Sequence, residues 1–137
     1  MKLVDAWIWA ENIKMLCERK DDNERVELGV FPNISSITKD ANATIYVTKG
    51  VLRKLRLVHH IYNGVEFVTK LLKNCDFAAP YKKDKGIINF YRKWTTEHGK
   101  ARAFLAGLAV KDRTITTCFP PTPTAYKEAE KNKIELK

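Results

Sequence analysis

The adjacent histidines His59 and His60 are the residues in this sequence best equipped to move a proton. An imidazole has an unperturbed pKa of about 6.5, so it can give and take protons at neutral pH. Both lie in the segment Lys49 to Tyr62. At about 100° per residue, Lys49, Arg53, Arg56 and His60 fall there on one narrow stripe. Val51, Leu55, Val58 and Tyr62 form an apolar stripe on nearly the opposite side, and His59 lies at the seam beside Leu52. No acid is interleaved in the cationic stripe, which suits a phosphate-facing element and equally a solvated helix face. A crowd of cations lowers an imidazole pKa and keeps the ring neutral, as a general base must be. His98, beside Gly99 in a polar stretch, reads as exposed.

Two more candidates come from the second half of the chain. Arg102 stands in the otherwise apolar run Ala101-Arg102-Ala103-Phe104-Leu105-Ala106. A guanidinium there either snorkels at an edge or enters a polar cleft, where its rigid fork matches a pair of phosphate oxygens. Strict alternation places Ile115, Thr117 and Phe119 on one face of a strand and Thr114, Thr116 and Cys118 on the other. Threonine in a strand is explained by β-propensity alone, so Thr117 gains weight only from company.

Other chemistries lack parts. There is no glycine-rich phosphate loop and no nucleophile-elbow pattern. The paired histidines have no Cys or acidic neighbour at a metal-ligand spacing, so neither a metal site nor a cofactor is expected. The acids of the basic half, Glu66, Asp76, Asp84, Glu97 and Asp112, are too scattered for a two-metal nuclease. Cys17, Cys75 and Cys118 are odd in number and widely spaced, and read as reduced, buried thiols.

The elements that must position these groups follow from patterning. Residues 3–18 read as a helix, with Trp9, Ile13, Leu16 and Cys17 on one face. Residues 25–31 alternate as a half-buried strand, and 43–48 are β-branched and aromatic, a second strand. Thr48 can cap a helix beginning near Lys49, which Tyr62-Asn63-Gly64 breaks before another helix over 65–73. Residues 76–86 read as a basic loop around Pro80. Strands over 87–94, 101–110 and 113–119, joined by hairpin-length links, should form an antiparallel meander. Pro120, Pro121 and Pro123 end the last strand. Residues 123–137 form a charged tail, a frayed helix or a disordered one. The whole predicts a single α+β domain, residues 1–137, with N-terminal helices packed on a C-terminal antiparallel sheet whose other face is free for binding.

Charge adds a partner. The 137 residues carry a net +9, and it is segregated. Residues 1–48 hold six basic and eight acidic side chains, 49–113 hold fifteen and five, and 114–137 hold four and three. A local excess of that size implies a polyanion, nucleic acid first and an acidic protein second. No apolar run approaches the ~18 residues of a membrane span, so no membrane partner is expected. Asp5 and Glu11 interrupt what would be the apolar core of a leader, so a cytoplasmic site of action without a signal peptide is expected.

A strand entering a histidine-bearing basic helix (Ile45-Tyr46-Val47-Thr48-Lys49-Gly50-Val51 to His59-His60) is followed by an antiparallel run ending in Ile115-Thr116-Thr117-Cys118-Phe119-Pro120. Over residues 43–122 this resembles the barnase–EndoU–colicin–RelE superfamily of small ribonucleases, in its phage and bacterial-toxin versions. The resemblance implies a barnase-like fold and a metal-independent endoribonuclease, toxin-like, acting on RNA such as transfer RNA. The matching site positions are His59 or His60, Arg102 and Thr117. Lys49, Arg53, Arg56, Lys70 and Arg92 would bind substrate. An acidic immunity or antitoxin protein would be a second partner. The glutamate base of barnase-like members has no clear match here. The alternative is a noncatalytic basic module binding RNA, DNA or an acidic protein, such as a phage-encoded inhibitor of a nucleic-acid enzyme. Tyr91 and Trp94 could stack bases on an exposed sheet, or could simply be core.

Overall fold

The structure of the chain, a computed structural model, describes residues 22–136. The helix expected over residues 3–18 lies outside the described residues, as does Cys17. The described residues form an α+β fold. Strands β1 (Arg25–Val30), β2 (Thr44–Thr48), β3 (Phe77–Tyr81), β4 (Asp84–Thr95), β5 (Ala101–Ala109) and β6 (Thr114–Phe119) make one sheet in the order β1-β2-β6-β5-β4-β3. Four helices accompany it: α1 (Ser35–Thr38), α2 (Lys49–Leu57), α3 (Gly64–Lys73) and α4 (Pro123–Lys131).

The sheet is mixed, where an antiparallel one was expected. β4 through β6 form the anticipated antiparallel meander, β3 extends it antiparallel beside β4, and β1 pairs antiparallel with β2. The α2–α3 crossover, however, leaves β2 running beside β6 in the same direction, with Tyr46 opposite Thr114 and Val47 opposite Ile115. The helices carry the chain from β2 to the far edge at β3, and three antiparallel reversals then bring β6 back beside β2 in parallel, a pairing no direct hairpin can make. The basic loop expected over 76–86 contains β3 and the start of β4. Pro80 is tolerated there because β3 is the sheet's edge and needs only one ladder of hydrogen bonds.

The main core lies between the sheet and helices α2 and α3. Ile45, Val47, Phe90, Leu108 and Ile115 meet Val51, Leu55, Val68 and Leu72 in one buried cluster. α2 begins where β2 ends because its first N–H groups are satisfied from nearby. Thr48 Oγ1 accepts from the Val51 N–H at 3.2 Å, and the carbonyls of Glu24 and Asp22 accept from Lys49 and Gly50 at 2.8 and 3.1 Å. α2 ends in a turn that places His60 in the left-handed region (φ 57°), while the Ile61 N–H reaches back to the Leu55 carbonyl at 2.8 Å. Gly64 lets α3 approach α2: a Cβ there would lie 2.8 Å from Leu52 Cδ2.

The opposite face is not wholly free. Residues 123–131, read from composition as a frayed helix or a disordered tail, form α4, started by Pro123 and capped by Thr122, whose hydroxyl accepts from the Ala125 N–H at 3.1 Å. Tyr126 and Ala129 cover a smaller cluster of Phe77, Ala79, Tyr91 and Leu105. Phe77 and Tyr91 stack at 4.8 Å, with Tyr126 edge-on to Phe77 at 5.3 Å. That contact is tertiary and invisible to helix periodicity, since only two residues of α4 carry it.

Candidate nucleic-acid interface

His59 sits just beyond α2 with its ring edge-on to Phe104 of β5, centroids 5.5 Å apart and planes at 83°. Phe104 is held in turn by Phe67 of α3 (5.0 Å) and by Trp94 of β4 (5.9 Å). Partial burial against this aromatic floor pushes the His59 pKa below its ordinary value, and the Lys54 and His60 charges push the same way. A neutral imidazole at the border of an aromatic patch results.

Two arginines share the patch. Arg102 is two residues along β5 from Phe104, on the same face and about 7 Å away by strand rise, in register with Trp94. Arg92 is in register with Phe104, and its guanidinium carbon lies 5.7 Å from the Trp94 ring centroid. Among the described residues no acid pairs with Arg92 or Arg102. His59, Arg92 and Arg102 therefore surround Phe67, Trp94 and Phe104 at one end of the sheet, on the side that α2 and α3 occupy. His60 is exposed at the turn after α2.

The rest of the expected set is dispersed. Lys49 pairs with Glu24 at 2.6 Å and Arg53 pairs with Asp22, so the stripe that looked unopposed along the helix is opposed from the segment before β1. Those acids lie more than twenty residues upstream, beyond any local pattern. Arg56 stands over Tyr62 at 5.8 Å, and Lys70 pairs with Glu66 one turn away at 2.8 Å. Tyr91 and Trp94 point to opposite faces, and Tyr91 is buried under α4.

Thr117 is on the other side of the sheet from His59. The register of β6 slips by one residue between Gly107 and Leu108 of β5, so that Thr117 faces Gly107 while Ile115 faces Leu108. Thr116 is the extra residue of this bulge, and it breaks the alternation that grouped Ile115 with Thr117. Ile115 and Cys118 turn into the core, and Thr117 turns out beside Asn89. A Cβ at residue 107 would lie 2.4 Å from Thr117 Oγ1 and 2.9 Å from Asn89 Oδ1, so glycine is what allows these two polar groups to meet over β5. Thr117 also borders a crevice of about 660 Å³ between α2 and β6, lined by Thr48, Lys54, Val58 and Phe119.

The sequence reading passed over Arg25, Tyr46 and Asn89 on that second face. Arg25 lies 4.1 Å from the Tyr46 ring centroid and donates to Thr114 Oγ1 at 3.5 Å. The cross-strand registers of β1, β2 and β6 assemble them, and no single segment signals it.

Buried Cys118 has its thiol pushed up to about 12 and half-buried Cys75 to about 11, both chiefly by desolvation. Neither is a nucleophile at neutral pH. Among the described residues no three His, Cys, Asp or Glu side chains gather as a metal site requires, and no helix is long and apolar enough to cross a membrane. Searches against protein-family models, curated proteins and solved structures find no match to this chain.

Proposed function

We propose that the chain is a metal-independent endoribonuclease of the barnase–EndoU–colicin–RelE kind, toxin-like, working at the His59 end of the sheet. The observation that carries this reading is a partly buried imidazole, its pKa held below the ordinary value, sharing one face with two guanidinium groups that no acid among the described residues pairs with. His59 would take the proton of a ribose 2′-hydroxyl, whose oxygen then attacks the adjacent phosphorus. The P–O5′ bond breaks, the 5′-oxygen leaves with a proton from solvent, and a 2′,3′-cyclic phosphate remains. Arg102 and Arg92 offset the charge that builds on the phosphorane oxygens. Half-buried Trp94, supported from beneath by buried Phe104, offers an apolar surface for a neighbouring base. DNA, without the 2′-hydroxyl, binds to such a surface but is not cut by this route.

A second reading uses the same surface for RNA binding alone. It is favoured by the position of Thr117, which leaves the site without a hydroxyl from β6. Incubation with total RNA in EDTA separates the two. Cleavage by the wild type that His59→Ala or Arg102→Ala abolishes supports the nuclease. Salt-sensitive RNA binding with intact RNA supports the binding module. As a toxin, the chain would be matched by an acidic inhibitor able to cover the Arg92–Arg102 patch.

A further inference from the structure

Beyond the His59 patch, the other face carries a separate hollow of about 340 Å³ at the same end of the sheet. Its origin is a mismatch in strand length. The last pair between β5 and β6 is Leu105 with Phe119, and Pro120 and Pro121 then turn the chain away toward α4. Residues 101–104 of β5 keep β4 on one side and, among the described residues, have no strand on the other. Ala101 and Ala103 give this gap a shallow floor, and Pro121 and Pro123 give it an apolar wall. Tyr126 of α4 closes one side, with the Lys93 ammonium 5.8 Å from its ring centroid.

The lysines at the hollow are Lys93, Lys100 and Lys127, with the Arg102 backbone at its rim, and among the described residues no acid lines it. Two carboxylates, Asp76 and Glu130, lie near enough to act on the Tyr126 hydroxyl, and Asp76 Oδ2 accepts from the Lys93 backbone N–H at 2.7 Å. Three lysines around a proline- and tyrosine-walled slot of this size match a flat base carrying a phosphate, and the volume lies within the ~300–1,000 Å³ of ordinary ligand pockets. Arg102 borders this hollow through its backbone and belongs to the strand positions of the His59 patch, so a strand of RNA crossing the open edge of β5 would meet both.

We propose that this hollow is a nucleotide subsite, which holds one base of single-stranded RNA between Tyr126 and the prolines while Lys93, Lys100 and Lys127 hold its phosphates. The assignment deepens the RNA-directed reading of the chain and can fail without it. Binding is measured by fluorescence anisotropy with a short labelled 2′-O-methyl oligouridylate, which cannot be cleaved by 2′-hydroxyl attack. Ala103→Leu fills the floor and keeps every charge. It should weaken binding about tenfold, the loss expected when one stacked base is expelled, with an unchanged melting temperature. Lys93→Ala with Lys127→Ala should make the dependence of log K on log salt shallower by about 1.4, two single-strand phosphate contacts. Wild-type affinity in folded Ala103→Leu, or displacement of the RNA by polyglutamate at equal charge concentration, would overturn the subsite. Weakened binding by Ala103→Leu in a protein that cuts no RNA would leave the subsite standing and remove only the nuclease.

Discussion

At the residue scale the central group is His59, whose environment makes its charge state a folding variable. Burial and the neighbouring cations lower its pKa in the folded chain below the unfolded value of about 6.5. Between those two values the unfolded state binds the proton more readily, so stability falls as pH drops through that window and is indifferent to His59 above it. Melting temperature measured across pH 5 to 8 should therefore fall toward acid, and the part due to this residue should vanish in His59→Gln. The same shift moves the acidic limb of any His59-dependent reaction downward from the ordinary histidine value of about 6.5. A rate profile that rises only above the ordinary value would show that this imidazole is not the base. The chemistry-bearing residues were legible as types: two histidines, Arg102 and Thr117 stand out in the sequence. Their sidedness was not, because one inserted residue at Thr116 reverses which face Thr117 takes.

At the element scale, β6 and the two hydrophobic layers decide which face does what. Gly107→Ala would drive a methyl into Thr117 Oγ1 and Asn89 Oδ1. A destabilisation of about 1–3 kcal/mol is expected in denaturant unfolding, partly relieved in the double variant with Thr117→Ala. Equal stability of Gly107→Ala and the wild type would contradict the described bulge register. α4 is a second test. Thr122→Ala removes its N-cap and should cost about 1 kcal/mol, with Tyr126 fluorescence reporting the loosening over Phe77 and Tyr91. Most elements could be read from the sequence because their signals are local: the β-branched run 44–48, the Thr48 cap, the Asn63-Gly64 break, the meander links. What escaped depends on contacts between distant segments. β3 hides behind Pro80, which only an edge strand accepts, and α4 has two anchoring residues in place of a stripe. The parallel β2–β6 pair needs the whole crossover to be known before it can be drawn.

At the scale of the whole molecule, the charge excess of residues 49–113 is spread around the sheet, and half of the expected helix stripe is neutralised by Glu24 and Asp22. Among the described residues Arg92 and Arg102 are two of the cations without an acid partner, and others, such as Lys54, Arg56, Lys83 and Lys85, lie elsewhere. Affinity for single-stranded RNA should accordingly fall with salt at about 0.7 log units per phosphate contacted. Arg92→Ala and Arg102→Ala should flatten that slope, whereas Lys49→Ala and Arg53→Ala should change it little. Cleavage chemistry is the most direct test of His59 as the base. Total RNA incubated in EDTA with wild type, His59→Ala and Arg102→Ala should yield fragments bearing 2′,3′-cyclic phosphate ends, with the His59 variant slower by about 10²–10⁴-fold. Fragments produced as fast without the imidazole, or RNA left whole by the wild type while still bound, would contradict it.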